Sequence, residues 1–278
     1  MEINLGDEQI VELQAAYTAE QIRDKASAKR VDAFGSVAKL IQRPKFEDIV
    51  ITTIQKRLEP FWFAAAKARY VYDRRHTYRI EVAPEVQAVT LGGREYDVAG
   101  ERGHAFQVEG LEHCLEEGRC ELILDAEQGL EADLGKYLKF PANIVADVAA
   151  LAQGDTVVMP PEVRASFVVR KVVSSLMKTF QADQIHEERI DVEQVSLFYR
   201  PLYAVEYLWK TKQKKQVWEY DALTGETRAV AGEIRKQVAR ILDNDALFDI
   251  GADAIGTVLP GANVAVKLGR LAARKIVR

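Results

Sequence analysis

The sequence predicts an α+β protein: two related helix-plus-antiparallel-meander units, with helical segments at the N- and C-termini. Three observations carry this. Residues 49–91 and 190–221 are rich in β-branched and aromatic residues and are punctuated by polar clusters, the pattern of strands joined by turns. Between them Val163, Phe167, Val168, Val172, Leu176 and Phe180 recur at helical spacing. Residues 7–28 are rich in Ala, Glu, Gln and Lys, all of which favour helix. Four segments follow: 1–43 helical, 44–140 a first β unit, 141–232 a second helix-plus-β unit, and 233–278 a helical hairpin.

In the N-terminal segment Ile10, Leu13, Tyr17 and Ile22 form a thin apolar stripe, as on a peripheral helix. Thr18 with Gln21 three residues on spells a capping box. A shorter apolar piece, 34–41, ends before Pro44. In the first β unit, residues 70–72 and 77–82 flank the polar group Asp73-Arg74-Arg75-His76 and read as a hairpin. A second hairpin turns at Gly92-Gly93. Residues 120–124 read as a strand and 141–151 as a helix opened by Pro141. The long helix after Pro160-Pro161 is expected to run to about Gln181. In the second β unit, strands over 190–199, 202–209 and 217–221 surround a basic tip at 210–215.

The two β regions align when Pro60 is set on Pro201. Ile51 and Ile54 then match Val192 and Val195, and a charged residue precedes each proline (Glu59, Arg200). A proline cannot donate to a ladder, so each is expected at a bend or bulge between two strands. The stretch Val217-Trp218-Glu219-Tyr220-Asp221-Ala222-Leu223-Thr224-Gly225-Glu226 resembles the end of a PepSY-type module, a helix and meander closing in an Asp-x-x-Thr-Gly turn. The resemblance covers about residues 161–226. It implies a small binding or inhibitory module rather than an enzyme, and the first unit lacks the Thr-Gly turn.

Composition sets the functional classes. With 48% hydrophobic and 29% charged residues the chain is an ordinary folded protein, and a net charge of −4 provides no global pull towards polyanions. Two cysteines are too few for a disulfide scaffold. If residues 116–118 form a hairpin loop, Cys114 and Cys120 are cross-strand neighbours. If 110–117 is a helical turn, Cys114 faces the core. The spacing is not one used for zinc, so no metal and no cofactor are expected. No Gly-x-Ser-x-Gly elbow or His-Glu-x-x-His is present, and Gly251-x4-Gly256 lacks the Lys-Ser/Thr of a phosphate loop. A hydrolase with an unrecognised site is therefore the third reading.

The second reading is binding of single-stranded nucleic acid or another polyanion. Arg69, Arg74 and Arg75 interleave with Tyr70 and Tyr72, and Lys210, Lys212, Lys214 and Lys215 lie between Trp209 and Trp218, the ingredients of a stacking platform. The first reading is a non-catalytic cytoplasmic adaptor that binds a protein partner or itself. Asp245, Asp249 and Asp253 give one C-terminal helix an acidic stripe. Beyond Pro260-Gly261, Lys267, Arg270 and Arg274 give the next a basic one, so that the two pair or self-associate. Aspartates within the apolar 246–266 stretch argue against bilayer insertion, while the basic helix allows peripheral membrane contact. The N-terminus carries no basic start or apolar run, which makes the cytoplasm the expected location.

Overall fold

The computed structural model describes residues 1–35, 45–98, 104–230, 247–249 and 265–267, the last in backbone only. Strand accounts for 54% of it and helix for 18%. This corrects the fold class. The protein is one large mixed sheet carrying two α-helices among the described residues, not two helix-plus-meander units between helical termini. Asp245, Asp253, Arg270 and Arg274 lie outside the described residues. Lys267 falls in a short strand, not a helix. No helix among the described residues is long and apolar enough to cross a membrane.

The strands are β1 (Glu2–Leu13), β2 (Ile49–Glu81), β3 (Ala88–Leu91), β4 (Arg94–Asp97), β5 (Ala105–Asp125), β6 (Ala142–Val145), β7 (Val157–Val158), β8 (Gln184–Trp209), β9 (Lys214–Asp221), β10 (Thr227–Val230) and β11 (Ala265–Lys267). The helices are α1 (Ala19–Ala28) and α2 (Ala165–Leu176). Strands β2 and β8 run antiparallel over the whole of β8 and from Ile49 to Asp73 of β2, and form the spine of the sheet. On the far side of β8, β1 lies parallel to its first half and β9 antiparallel to its second. On the far side of β2, β7 is parallel and β5 antiparallel.

The first part of the expected N-terminal helix is strand β1. Helix propensity is overruled because Ile3, Leu5 and Ile10 join the main core while Val11 and Leu13 pack on the opposite face. That two-sided burial needs a strand flanked by others. The helix proper starts at the expected capping box, with Thr18 accepting from the Gln21 amide and Gln21 returning the bond. Residues 141–151 are not helical either: β6 pairs with the end of β1, and only a short 3-10 turn follows at Ala149–Leu151. Helix α2 stops at Leu176 and buries Val168, Val169, Val172 and Val173.

The expected hairpin at 73–76 does not form, because β2 passes through it unbroken, with Arg74 opposite Glu112 and Arg75 opposite Leu111. Nor do the prolines break their strands. Leu58 accepts a hydrogen bond from the Met159 amide beyond β7, and Pro201 accepts one from Ala222 beyond β9. Pro60 has the parity of Leu58, so both pyrrolidine nitrogens face away from the β2–β8 ladder. They fall where the outer neighbour changes, from β7 to β5 at Pro60 and from β1 to β9 at Pro201. No ladder loses a bond there.

A local two-fold passes through the Glu59–Arg200 pair, the residues that precede the two prolines. Around it the hydrogen-bond plan repeats. Phe61 pairs with Asp125 as Leu202 pairs with Asp221, and Leu58 pairs with Val158 as Tyr199 pairs with Glu12. Asp125-Ala126-Glu127-Gln128-Gly129 and Asp221-Ala222-Leu223-Thr224-Gly225 make the same turn. In each, the aspartate accepts from the second and third amides on, and the glycine has φ near +72°. A side chain would be strained there. Ala126 accepts from Glu162 and Val163 before α2, and Ala222 from Ala16 and Tyr17 before α1. Both helices cover the same face, α2 over the main core and α1 over a second cluster around Tyr207 and Trp209.

The repeat differs most in its hairpins. β8 turns into β9 over a few residues, whereas β2 and β5 run on well past the equivalent point. Beyond Asp73, where β8 begins, they continue alone as a two-stranded ribbon roughly 25 Å long at about 3.3 Å per residue. The small β3–β4 hairpin sits near its end.

Candidate functional site

The ribbon and the outer edge of β5 are left open by the described residues. Every residue from Arg74 to Glu81 is exposed. β5 pairs only with β2, so its outer edge lacks a strand partner among the described residues until Leu124 bridges to Glu131. From Gln107 to Glu121 of β5, exposed and half-buried residues alternate strictly. Its open face carries Leu111 and Leu115, 53% and 55% exposed, on either side of His113.

A carboxylate between two histidines fixes the root of the ribbon. Asp73 Oδ1 lies 2.7 Å from His113 Nδ1 on β5, and Oδ2 lies 2.8 Å from His186 Nε2 on β8. His186 reaches it because β8 carries an extra residue there: Val71 pairs with Glu187 and Tyr72 with Ile185, leaving His186 as the bulge. Such a bulge re-aims one side chain. Asp183 closes the junction, its amide donating to the Asp73 carbonyl and its carboxylate accepting from the Arg75 amide. Hydrogen bonds from His186 and then His113 hold the Asp73 carboxyl below the usual carboxylate range. Among the described residues neither imidazole has a hydroxyl or thiol partner, and no group of three His, Cys, Asp or Glu residues could hold a metal ion. The arrangement is a clamp across three strands.

Further out, Arg74 and Tyr78 both bind Glu112, at 2.5 and 2.6 Å, and hold it below its ordinary range. The Tyr78 ring lies over Gly110, where a Cβ would come within 2.9 Å of it. Nearer the body, Lys178 and Tyr72 lower Glu116, and that contact pushes the Tyr72 phenol up to about 12.

These depressed carboxylates predict the acid response. Because their folded values lie below the unfolded ones, the stability they add is present above about pH 4 and lost as pH falls through the folded values. The protection factors of amides 74–81, their exchange rates corrected for the intrinsic pH dependence, are expected to fall on acidification below that point. Asp73→Asn should flatten the dependence; an unchanged profile would remove the clamp from the account.

The polyanion residues do not assemble as the sequence suggested. Tyr70, Tyr72 and Trp209 are core residues, 2–3% exposed. Tyr70 donates to the Leu176 carbonyl, and Trp209 packs on Phe34. Trp218 donates to the Ala33 carbonyl. Arg69 is held by Glu117 and Glu187, Arg74 by Glu112, and Lys215 by Glu206. Arg75, Lys210, Lys212 and Lys214 are exposed, but the two basic groups lie at opposite ends of β2, on the order of 80 Å apart along the strand. They cannot form one stacking surface. Cys114 and Cys120 occupy the same face of β5 six residues apart, roughly 20 Å. Both expected geometries, hairpin and helical turn, are replaced by one straight strand, and its thiols pack against the main core.

A second polar cluster, not foreseen from the sequence, sits at the local two-fold. Arg200 donates to Glu59, and to the Tyr137 hydroxyl at 2.8 Å; Tyr137 donates to Asp221. Arg228 bridges Glu59 and Glu219, and Arg57 lies 3.6 Å from Glu219. Only the opposite charges of Glu59 and Arg200 at aligned positions signalled it. Every one of these cations is answered by a carboxylate, so the cluster is a brace for the spine and leaves no charge directed at a ligand.

Comparison with known proteins returns no matching family model, no matching curated protein and no matching solved structure.

Proposed function

We propose that this is a non-catalytic cytoplasmic interaction protein that self-associates edge to edge through β5. The observation that carries the reading is the long edge of β5, unpaired among the described residues, with two exposed leucines at its centre. An open edge is a template for another strand, and sheets ordinarily protect themselves against it. Here the protection is incomplete: Glu109, Glu112, Glu116, Glu117 and Glu121 line the strand, but Arg74, Lys178, Arg69 and Arg119 already answer four of them.

A second copy fits this edge antiparallel, about a two-fold at His113. That register sets the Leu111 of each copy against the Leu115 of the other and Gln107 against Arg119. Directly opposed side chains of this kind are what stabilise strand pairs. The one like-charge pair, Glu109 with Glu117, is softened by Arg69. Such an interface is self-complementary and closes at the dimer. The C-terminal residues expected to self-associate lie mostly outside the described residues, and the β5 edge is a separate element. The cytoplasmic assignment is supported by two unpaired thiols that the strand holds too far apart for a disulfide.

Sedimentation velocity tests the reading. The wild-type chain is expected to move from monomer to dimer with rising concentration, and Leu111→Glu with Leu115→Glu to stay monomeric without loss of fold. A wild-type monomer throughout, or a dimer indifferent to the double substitution, would overturn it.

A further inference from the structure

The local two-fold allows the helix-covered halves of the sheet to be compared position by position. On the α2 side the wall between helix and sheet is filled by the chain itself. Leu247 is 2% exposed in the main core, and the Phe248 ring meets Trp62 edge-on with centroids 5.6 Å apart. Phe248 lines a small cleft there with Gln9 and Ile10. The corresponding positions on the α1 side are Tyr203 for Trp62, Asp155 for Gln9 and Thr156 for Ile10. Those three line an open groove of about 670 Å³, floored by Ile54 and walled by the first turns of α1. The position that Leu247 and Phe248 occupy in one half has no occupant among the described residues in the other.

We propose that the groove beside α1 is a peptide-binding site for a partner protein, taking a short segment with an aromatic residue followed by an acidic one. The aromatic residue lies against Tyr203 as Phe248 lies against Trp62. The acidic residue follows from what has changed between the halves. Val169 and Leu197, which are buried in the same core cluster as Leu247, correspond to Arg23 and Lys56 in the groove. Lys56 is held only loosely, 3.6 Å from Glu12, and no ion pair of Arg23 is present among the described residues. Glu20, Asp24 and Asp155 also border the groove and favour a basic residue further along the segment. The chain's own Leu247-Phe248-Asp249 already has the aromatic-acidic order. This site shares no residue with the β5 edge and stands independently of it.

The probe is the labelled peptide Ala-Leu-Phe-Asp-Ile, residues 246–250 of this chain, titrated with the full chain and followed by fluorescence anisotropy. Saturable binding is expected. It should weaken about fivefold or more when Arg23→Glu turns one attraction into repulsion, and recover when the peptide's aspartate is replaced by lysine. Ala19→Trp, which fills the groove, should abolish it. Leu111→Glu with Leu115→Glu should leave it unchanged, which separates this site from the β5 dimer. No binding, or binding indifferent to both groove substitutions, would overturn the proposal. Indifference would assign the peptide instead to displacement of the chain's own segment at Trp62.

Discussion

Arg200→Met is expected to destabilise the fold by about 3 kcal/mol, measured by urea unfolding. The side chain of Arg200 is 12% exposed and those of Glu59 and Asp221 are 24% and 8%, so its loss strands two carboxylates in the middle of the sheet. Removing one partner of a buried pair typically costs about 3–5 kcal/mol, because the remaining charge keeps its desolvation penalty. The lower end applies here. Glu59 retains Arg228 at 3.0 Å, and Asp221 retains the amides of Leu223 and Thr224 and the Tyr137 hydroxyl. Glu59→Gln in the same chain removes one stranded charge. The double variant should therefore lose less than the sum of the two single losses, by about 1 kcal/mol or more. A loss below about 1 kcal/mol for Arg200→Met would show that water already screens the brace.

Local chemistry was legible in the sequence, and long-range pairing was not. The capping box at Thr18, the Gly92-Gly93 hairpin and the Asp221 turn each depend on residues within a few positions of one another. The alignment of Pro60 on Pro201 was legible too, because a missing amide imposes the same requirement wherever it occurs. What it implied was misjudged: a proline reads as a break until the outer neighbours are known, and here they change beside it. β1 was hidden for a related reason. The Glu, Gln and Leu residues of its second half favour helix, and only placement beside β8 gives Ile10 and Leu13 opposite faces to bury. The Asp73 clamp draws its three side chains from strands β2, β5 and β8, so no spacing along the chain announces it. Arg74, Arg75 and Lys210 looked like the tips of two hairpins. A charged run in a long strand and one in a turn have the same composition, and only the cross-strand partner, Glu112 for Arg74, tells them apart.

Leu247→Ala is expected to cost about 3 kcal/mol. Truncation of a buried leucine loses its transfer energy and leaves a cavity, about 2–5 kcal/mol together, and the cost depends on how far the site can collapse. Collapse is limited here, because Leu247 shares its cluster with Trp62, Val195 and Leu197 on strands held by the spine of the sheet. Phe248 is half-buried and meets Trp62 edge-on, so Phe248→Ala should cost less, about 1–2 kcal/mol. That cost comprises a ring contact worth about 0.5–1.5 kcal/mol and part of the apolar burial. The ordering carries more information than either value. If the segment serves as the cover of the α2 side, the leucine anchors it and the phenylalanine completes the seal over Trp62. Urea unfolding of the two variants beside the wild type measures both. A Leu247→Ala chain within about 0.5 kcal/mol of wild type would mean that the segment spends its time undocked. The α1 groove would then have lost the filled counterpart from which its own occupant is inferred.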